Sequence, residues 1–279
     1  FGEPVIKISN KKIFKTNSKS FFFAGLFLQK KIFQNSAILY EFCRYVDDIA
    51  DKNNRFKKSK LKKIKYNLNS KNKNYKLLKI NTLISKNIIN KHYLSQLIDG
   101  VSQDTSKKVR IKNNKELISY AYSVAGTVGI MMSSILNINN NIARKYAVDL
   151  GIAFQLTNIA RDILEDAKIN RIYIPNTWYS LTTKEIKKLN DKSKEKLKSA
   201  TKDLLNMADL YYQSAFKGLA FLSLRNRFAI LLALVIYKQI GVKIMNKNYS
   251  NLYIREKVSF LEKLLCLMKC VFLFIFNLG

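Results

Sequence analysis

Apolar residues return at a helical period in five stretches of the chain, 29–50, 115–137, 142–166, 197–222 and 226–246. That spacing marks helices with one face turned to a core. No stretch shows the two-residue alternation of a half-buried strand bounded by hairpin turns. The two prolines, Pro4 and Pro175, leave everything between them free of helix breakers, and glycines number only nine. The pattern predicts an all-α, single-domain protein with one core.

Four segments depart from the period. Residues 1–14 read as a loosely ordered lead. The Lys- and Asn-rich region 52–75 reads as a short helix between polar loops. The segment 167–182, AKINRIYIPNTWYSLT, ends in a proline-containing loop placed to act as a lid beside an acidic helix end. The apolar run 264–278 is interrupted by Lys269 and is too short for the roughly twenty residues that span a bilayer. It reads as a final packing helix, with an in-plane membrane anchor as the alternative.

Two helices carry polar stripes. Asp47 and Asp51 are four residues apart and share a helix face, which Tyr40 and Arg44 extend upstream. Gln155, Asn158, Asp162 and Asp166 form a second stripe, flanked by Ile159 and Ile163. The windows 47–51 and 162–166 hold six of the nineteen acidic residues in a chain with 50 Lys and Arg. Carboxylates one turn apart repel, and two facing rows need cations between them. Carboxylate and amide oxygens suit Mg²⁺, or Mn²⁺, whose shell substrate phosphate and water complete. The stripes therefore suggest a diphosphate held through metal between two helices, set against the plainer reading of two solvated acidic faces.

At these residues the sequence resembles the squalene and phytoene synthases, the head-to-head trans-isoprenyl diphosphate synthases. One signature stands here as YEFCRYVDDIAD, Tyr40 to Asp51, and the other as LGIAFQLTNIARDILEDAKINRIYIP, Leu150 to Pro175. YAYSVAGTVGIMM (120–132) is similar to the family's glycine-containing cavity helix, and SKSFFFA (18–24) to its N-terminal substrate segment. The stretch 226–264 is most similar to bacterial-type phytoene synthases. The resemblance covers about residues 15–265, leaving 266–279 as an apolar helix end open to membrane contact. It implies an isoprenoid-synthase-type helical bundle around a central cavity.

The resemblance also implies roles. Asp47, Asp51, Asn158, Asp162 and Asp166 match metal-binding positions, and the four aspartates carry the catalysis. Asp48 and Glu165 lie off the stripe and support them. Ser18, Lys19, Ser20, Tyr40, Arg44, Gln155, Arg161, Arg171 and Tyr249 match positions that contact the substrate diphosphate; forked guanidinium–phosphate bonds suit the arginines. Ala125, Gly126 and Gly129 stand where a bulky side chain would close a channel, close helix packing being the alternative. Phe21, Phe23, Tyr120, Tyr122 and Tyr173 offer ring faces to a carbocation, or simply fill the core. The implied reaction joins two geranylgeranyl diphosphates through a cyclopropyl diphosphate to phytoene, with farnesyl diphosphate and a C30 product as the alternative. No GxGxxG lies in a strand–helix context, so no nicotinamide cofactor is expected.

Composition narrows the other classes. The net charge of +31 invites nucleic acid, but Lys, Asn and Ile are raised together along the whole chain and no nucleic-acid-binding motif is present, so no nucleic-acid partner is expected. A basic surface that favours anionic lipid headgroups fits better. The three cysteines form no CxxC and the single His92 has no partner motif, which argues against zinc and His-based triads and for a reducing, cytoplasmic setting, at the membrane surface if the apolar end anchors there. A head-to-tail elongase would carry DDxxD in both places. A non-catalytic assembly factor would have lost the aspartates that are present here. Oligomeric state is left open by the sequence.

Overall fold

The computed structural model describes residues 19–52, 54–68, 74–249 and 254–276, with the backbone alone at Lys19. The chain is built of thirteen α-helices among these residues: α1 Lys19–Gly25, α2 Lys30–Asp51, α3 Lys57–Tyr66, α4 Tyr75–Ser85, α5 Lys91–Gln103, α6 Asn114–Ala121, α7 Thr127–Ile135, α8 Asn141–Arg161, α9 Ile163–Lys168, α10 Thr183–Lys188, α11 Asp191–Lys217, α12 Leu224–Asn246 and α13 Phe260–Phe276. A π-helical turn, Tyr122–Gly126, joins α6 to α7, and a 3₁₀ turn, Gly218–Phe221, follows α11. Two short strands, β1 Val109–Arg110 and β2 Arg171–Ile172, pair in parallel. The all-α expectation holds, and each of the five periodic stretches is helical.

Asparagine, abundant in this sequence, sets many of the local boundaries. Asn74, Asn90, Asn113, Asn140 and Asn190 cap α4, α5, α6, α8 and α11, each side-chain oxygen accepting from free amides of the first turn. Asn87, Asn137, Asn170 and Asn248 take the left-handed conformation that glycine usually supplies. Thr182 and Glu185 close a capping box on α10.

Helix α8 is the central element, packed against α7, α11 and α12. Its crossing with α7 is set by glycine. A Cβ on Gly129 would stand 2.0 Å from the Ala147 carbonyl oxygen, and one on Gly151 2.2 Å from that of Ala125. Among the described residues, two stretches have the length and apolarity of a bilayer span, 114–135 and 224–246; both pack in the bundle, with 44% and 56% of their apolar windows buried. Glu41 on α2 and Lys79 on α4 form a buried ion pair at 2.8 Å.

Several expectations are corrected. The segment 167–182 is not one exposed loop: Arg171 through Pro175 are buried, β2 pairing with β1 and Ile172 and Ile174 lying in the core, while residues 176–180 are exposed or half-buried. The acidic stretch 142–166 is not one helix but breaks at Asp162, whose φ and ψ are −107° and 16°. The division placed at 265/266 falls within the single helix α13. The lead 1–14 lies outside the described residues. His92 sits exposed in the first turn of α5, and Cys266 and Cys270 are buried.

Candidate active site

A cavity of about 820 Å³ runs through the bundle, walled by α1, α2, α7, α8 and α12 among others. One end is polar: Tyr40, Arg44, Asp47 and Asp51 from α2 share the wall with Gln155, Asn158, Arg161, Asp162 and Asp166 from α8 and α9, and with Arg171 and Tyr173. The rest is mostly apolar, including Ala24, Gly25, Val128, Met132, Leu136 and Ile230, with Glu256, Lys257 and Lys263 also in the wall. Helical phase explains the sorting. Asp48 turns outward to pair with Arg44 at 3.0 Å, and neither Asp48 nor Glu165 lines the cavity.

The two acidic rows face each other. Asp47 is pushed up to about 7 by burial, against Arg44, with the charges of Asp51, Asp104 and Asp48 adding to the rise. Asp166 is pushed up to about 8 by burial and Asp162, against Arg171, with Asp104 and Asp51 adding. At these two carboxylates burial and neighbouring acids outweigh the nearby arginines, so further positive charge between the rows would be favoured. The donor set is all oxygen, and among the described residues no three His, Cys, Asp or Glu groups stand close enough to hold an ion unaided. Each row thus offers only part of a shell, and these oxygen donors would fit a hard divalent cation whose other ligands come from outside the chain.

Asp162 behaves differently. Burial would raise it, yet Arg161 grips it at 2.7 and 2.6 Å and Arg255 at 2.8 and 2.9 Å, and these two forks hold its carboxyl below the usual range. Arg171 spans the site: Nη1 donates to Asp51 Oδ1 at 2.7 Å, and Nη2 donates to the carbonyl oxygens of Ala50 and Asp104 at 3.2 and 2.9 Å. Asn158 accepts from the Tyr237 hydroxyl at 2.7 Å, and Tyr237 stacks on Phe21 with ring centres 5.0 Å apart.

Most of the sequence-predicted residues meet at this cavity: besides those named above, Ser20, Phe21, Tyr120, Ala125 and Gly129 line it. Four do not. Phe23 points to Phe27 and Phe260. Tyr122 and Gly126 lie outside the wall, packed on each other, and a Cβ at Gly126 would meet the Tyr122 ring and Val148. Tyr249 stands beyond the end of α12 at φ 57°, half-buried on the core and outside the wall. Ser18 lies outside the described residues, as does the side chain of Lys19. Sequence reading missed Asp104, Tyr237 and Arg255. Only Asp104 left a signal, an acid at the C-terminal end of a helix, where the dipole disfavours it.

The sequence profile of the squalene/phytoene synthase family matches residues 14–262. The 15-cis-phytoene synthase of Pantoea ananas is 30% identical over 269 residues, covering 90% of this chain and 86% of that protein. The 15-cis-phytoene synthase of Enterobacter agglomerans is 37% identical over 177 residues, 63% of this chain and 60% of that one. A dehydrosqualene synthase solved in complex with ligand superposes with a TM-score of 0.84 at 27% identity, covering 95% of both chains. Two acidic helices facing across one cavity, and matches that run nearly end to end, place this chain in the squalene/phytoene synthase family.

Proposed function

We propose that this chain is a metal-dependent prenyltransferase that joins two geranylgeranyl diphosphates head to head, through a cyclopropyl diphosphate, to phytoene. A single observation carries the reading: one cavity is lined by carboxylates and guanidinium groups in one part and mainly by apolar side chains in the rest. That division matches an amphiphile with an anionic head and a long hydrocarbon tail. Volumes of about 300–1,000 Å³ are usual for ligand sites, and this cavity lies toward the upper end. The likeness to the two 15-cis-phytoene synthases supports the C20 substrate for this chain. The likeness to a dehydrosqualene synthase supports farnesyl diphosphate as the second reading.

In this reading Asp47, Asp51, Asn158, Asp162 and Asp166 hold Mg²⁺, which neutralises diphosphate as it leaves. The chain's own cations do the rest. Arg44, Arg161, Arg171 and Arg255 line the polar end and stabilise negative charge as the carbon–oxygen bond breaks. Buried apolar walls exclude water from the cation that remains, and the rings of Phe21, Phe154, Tyr120 and Tyr173 face it without offering a strong nucleophile. The reading includes contact with an anionic membrane. Helix α13 turns Phe260, Leu261, Leu265, Met268, Phe272 and Ile275 to solvent, on a chain of net charge +31.

Incubating the purified protein with Mg²⁺ and either the C15 or the C20 diphosphate, then analysing the hydrocarbon, tests the reading. Phytoene from the C20 substrate, abolished by EDTA and by Asp47→Ala, is the expected result. A C30 product would replace the substrate and keep the chemistry, whereas no hydrocarbon from either would overturn the proposal.

A further inference from the structure

Asp104 follows the last residue of α5, where the helix dipole disfavours a carboxylate, and it is only 7% exposed. Burial there is costly unless the group is well bonded. Its side chain is bonded by two phenols from elsewhere in the chain: the Tyr120 hydroxyl donates to Oδ2 at 2.8 Å and the Tyr173 hydroxyl to Oδ1 at 2.7 Å. The two rings stack with centres 4.8 Å apart and planes 22° from parallel. Arg171, which holds Asp51, donates to the Asp104 carbonyl oxygen. All five residues line the cavity.

We propose that Asp104 is a positioning residue for the reaction, fixing Tyr120 and Tyr173 as one rigid, electron-rich surface beside the acidic rows. With both hydroxyl protons committed to the same carboxylate, the stacked pair lines the cavity with no O–H free to donate into it. Such a surface attracts positive charge, and its rigidity keeps it in place while a carbocation forms. Asp104 touches neither substrate nor metal in this role and acts through the two rings. The inference rests on the proposed carbocation chemistry.

The test compares steady-state kinetics and products of wild type, Asp104→Asn, Tyr120→Phe, Tyr173→Phe and the triple variant, with Mg²⁺ and the C20 diphosphate. Asp104→Asn should lower kcat about 30-fold while KM moves less than about 3-fold, since the lost interaction belongs to the transition state. The triple variant should be no more than about 2-fold worse than Asp104→Asn, because the three groups act as a unit. Wild-type kcat in Asp104→Asn, or losses that multiply across the variants, would overturn the inference alone. If Asp104→Asn does not fold, Tyr173→Phe decides: a lower kcat at unchanged KM supports the inference, and an unchanged kcat overturns it. A wild-type protein that makes no hydrocarbon would remove the proposed function and this inference with it.

Discussion

Arg255 shows how a single side chain can matter without a motif. It is half-exposed, so its forks to Asp162 contribute little to stability, less than about 1 kcal/mol. Its place in the wall beside Arg161 suits it to diphosphate instead. Arg255→Ala should raise KM for the diphosphate about 10-fold, roughly one charge-assisted hydrogen bond, with the melting temperature nearly unchanged. An unchanged KM would rule this role out. Glu41 and Lys79 present the opposite case, a buried pair outside the cavity wall. Lys79→Ala should cost about 3–5 kcal/mol in urea denaturation by stranding a buried charge, and replacing both partners with leucine should recover most of it. The stripe residues were legible because helical period alone groups them. Tyr237, Asp104 and Arg255 were not, because their partners are 79, 69 and 93 residues away in the chain.

At the scale of elements, the crossing of α7 and α8 depends on absent side chains. Gly129 and Gly151 each bring backbone against backbone, and a backbone carbonyl cannot swing aside. Gly129→Ala and Gly151→Ala should each cost about 3 kcal/mol or more by overpacking. Gly241→Ala should be tolerated, since its Cβ would meet only the tip of Leu205 at 3.1 Å. Denaturant titration separates the two cases. Gly129 therefore serves the packing that the sequence left as an alternative, while also lining the cavity. The break at Asp162 was not legible, because a polar stripe at i, i+3, i+7 reads alike on a straight and a broken helix. The paired strands were too short, at two residues each, to leave any periodic mark.

At the scale of the molecule, the proposed membrane contact would draw on both the charge of +31 and the exposed apolar face of α13. Cys266 and Cys270 hold the helix to the core, while the opposite face stays apolar and exposed. Val258 and Lys263, at the start of the same segment, lie in the cavity wall. Binding to phosphatidylglycerol vesicles should weaken with salt and fall about 10-fold in Phe272→Ser/Ile275→Ser, because apolar insertion and headgroup attraction both contribute. Equal sedimentation with neutral and anionic vesicles would refute it.

By itself the sequence determined the main helical stretches and the two polar stripes, because each depends on neighbours within a turn or two. Tertiary structure alone decided which stripes face each other, which residues wall the cavity and which distant groups complete the site. Those outcomes depend on how helices cross, and a crossing is set by contacts between residues that no local period relates.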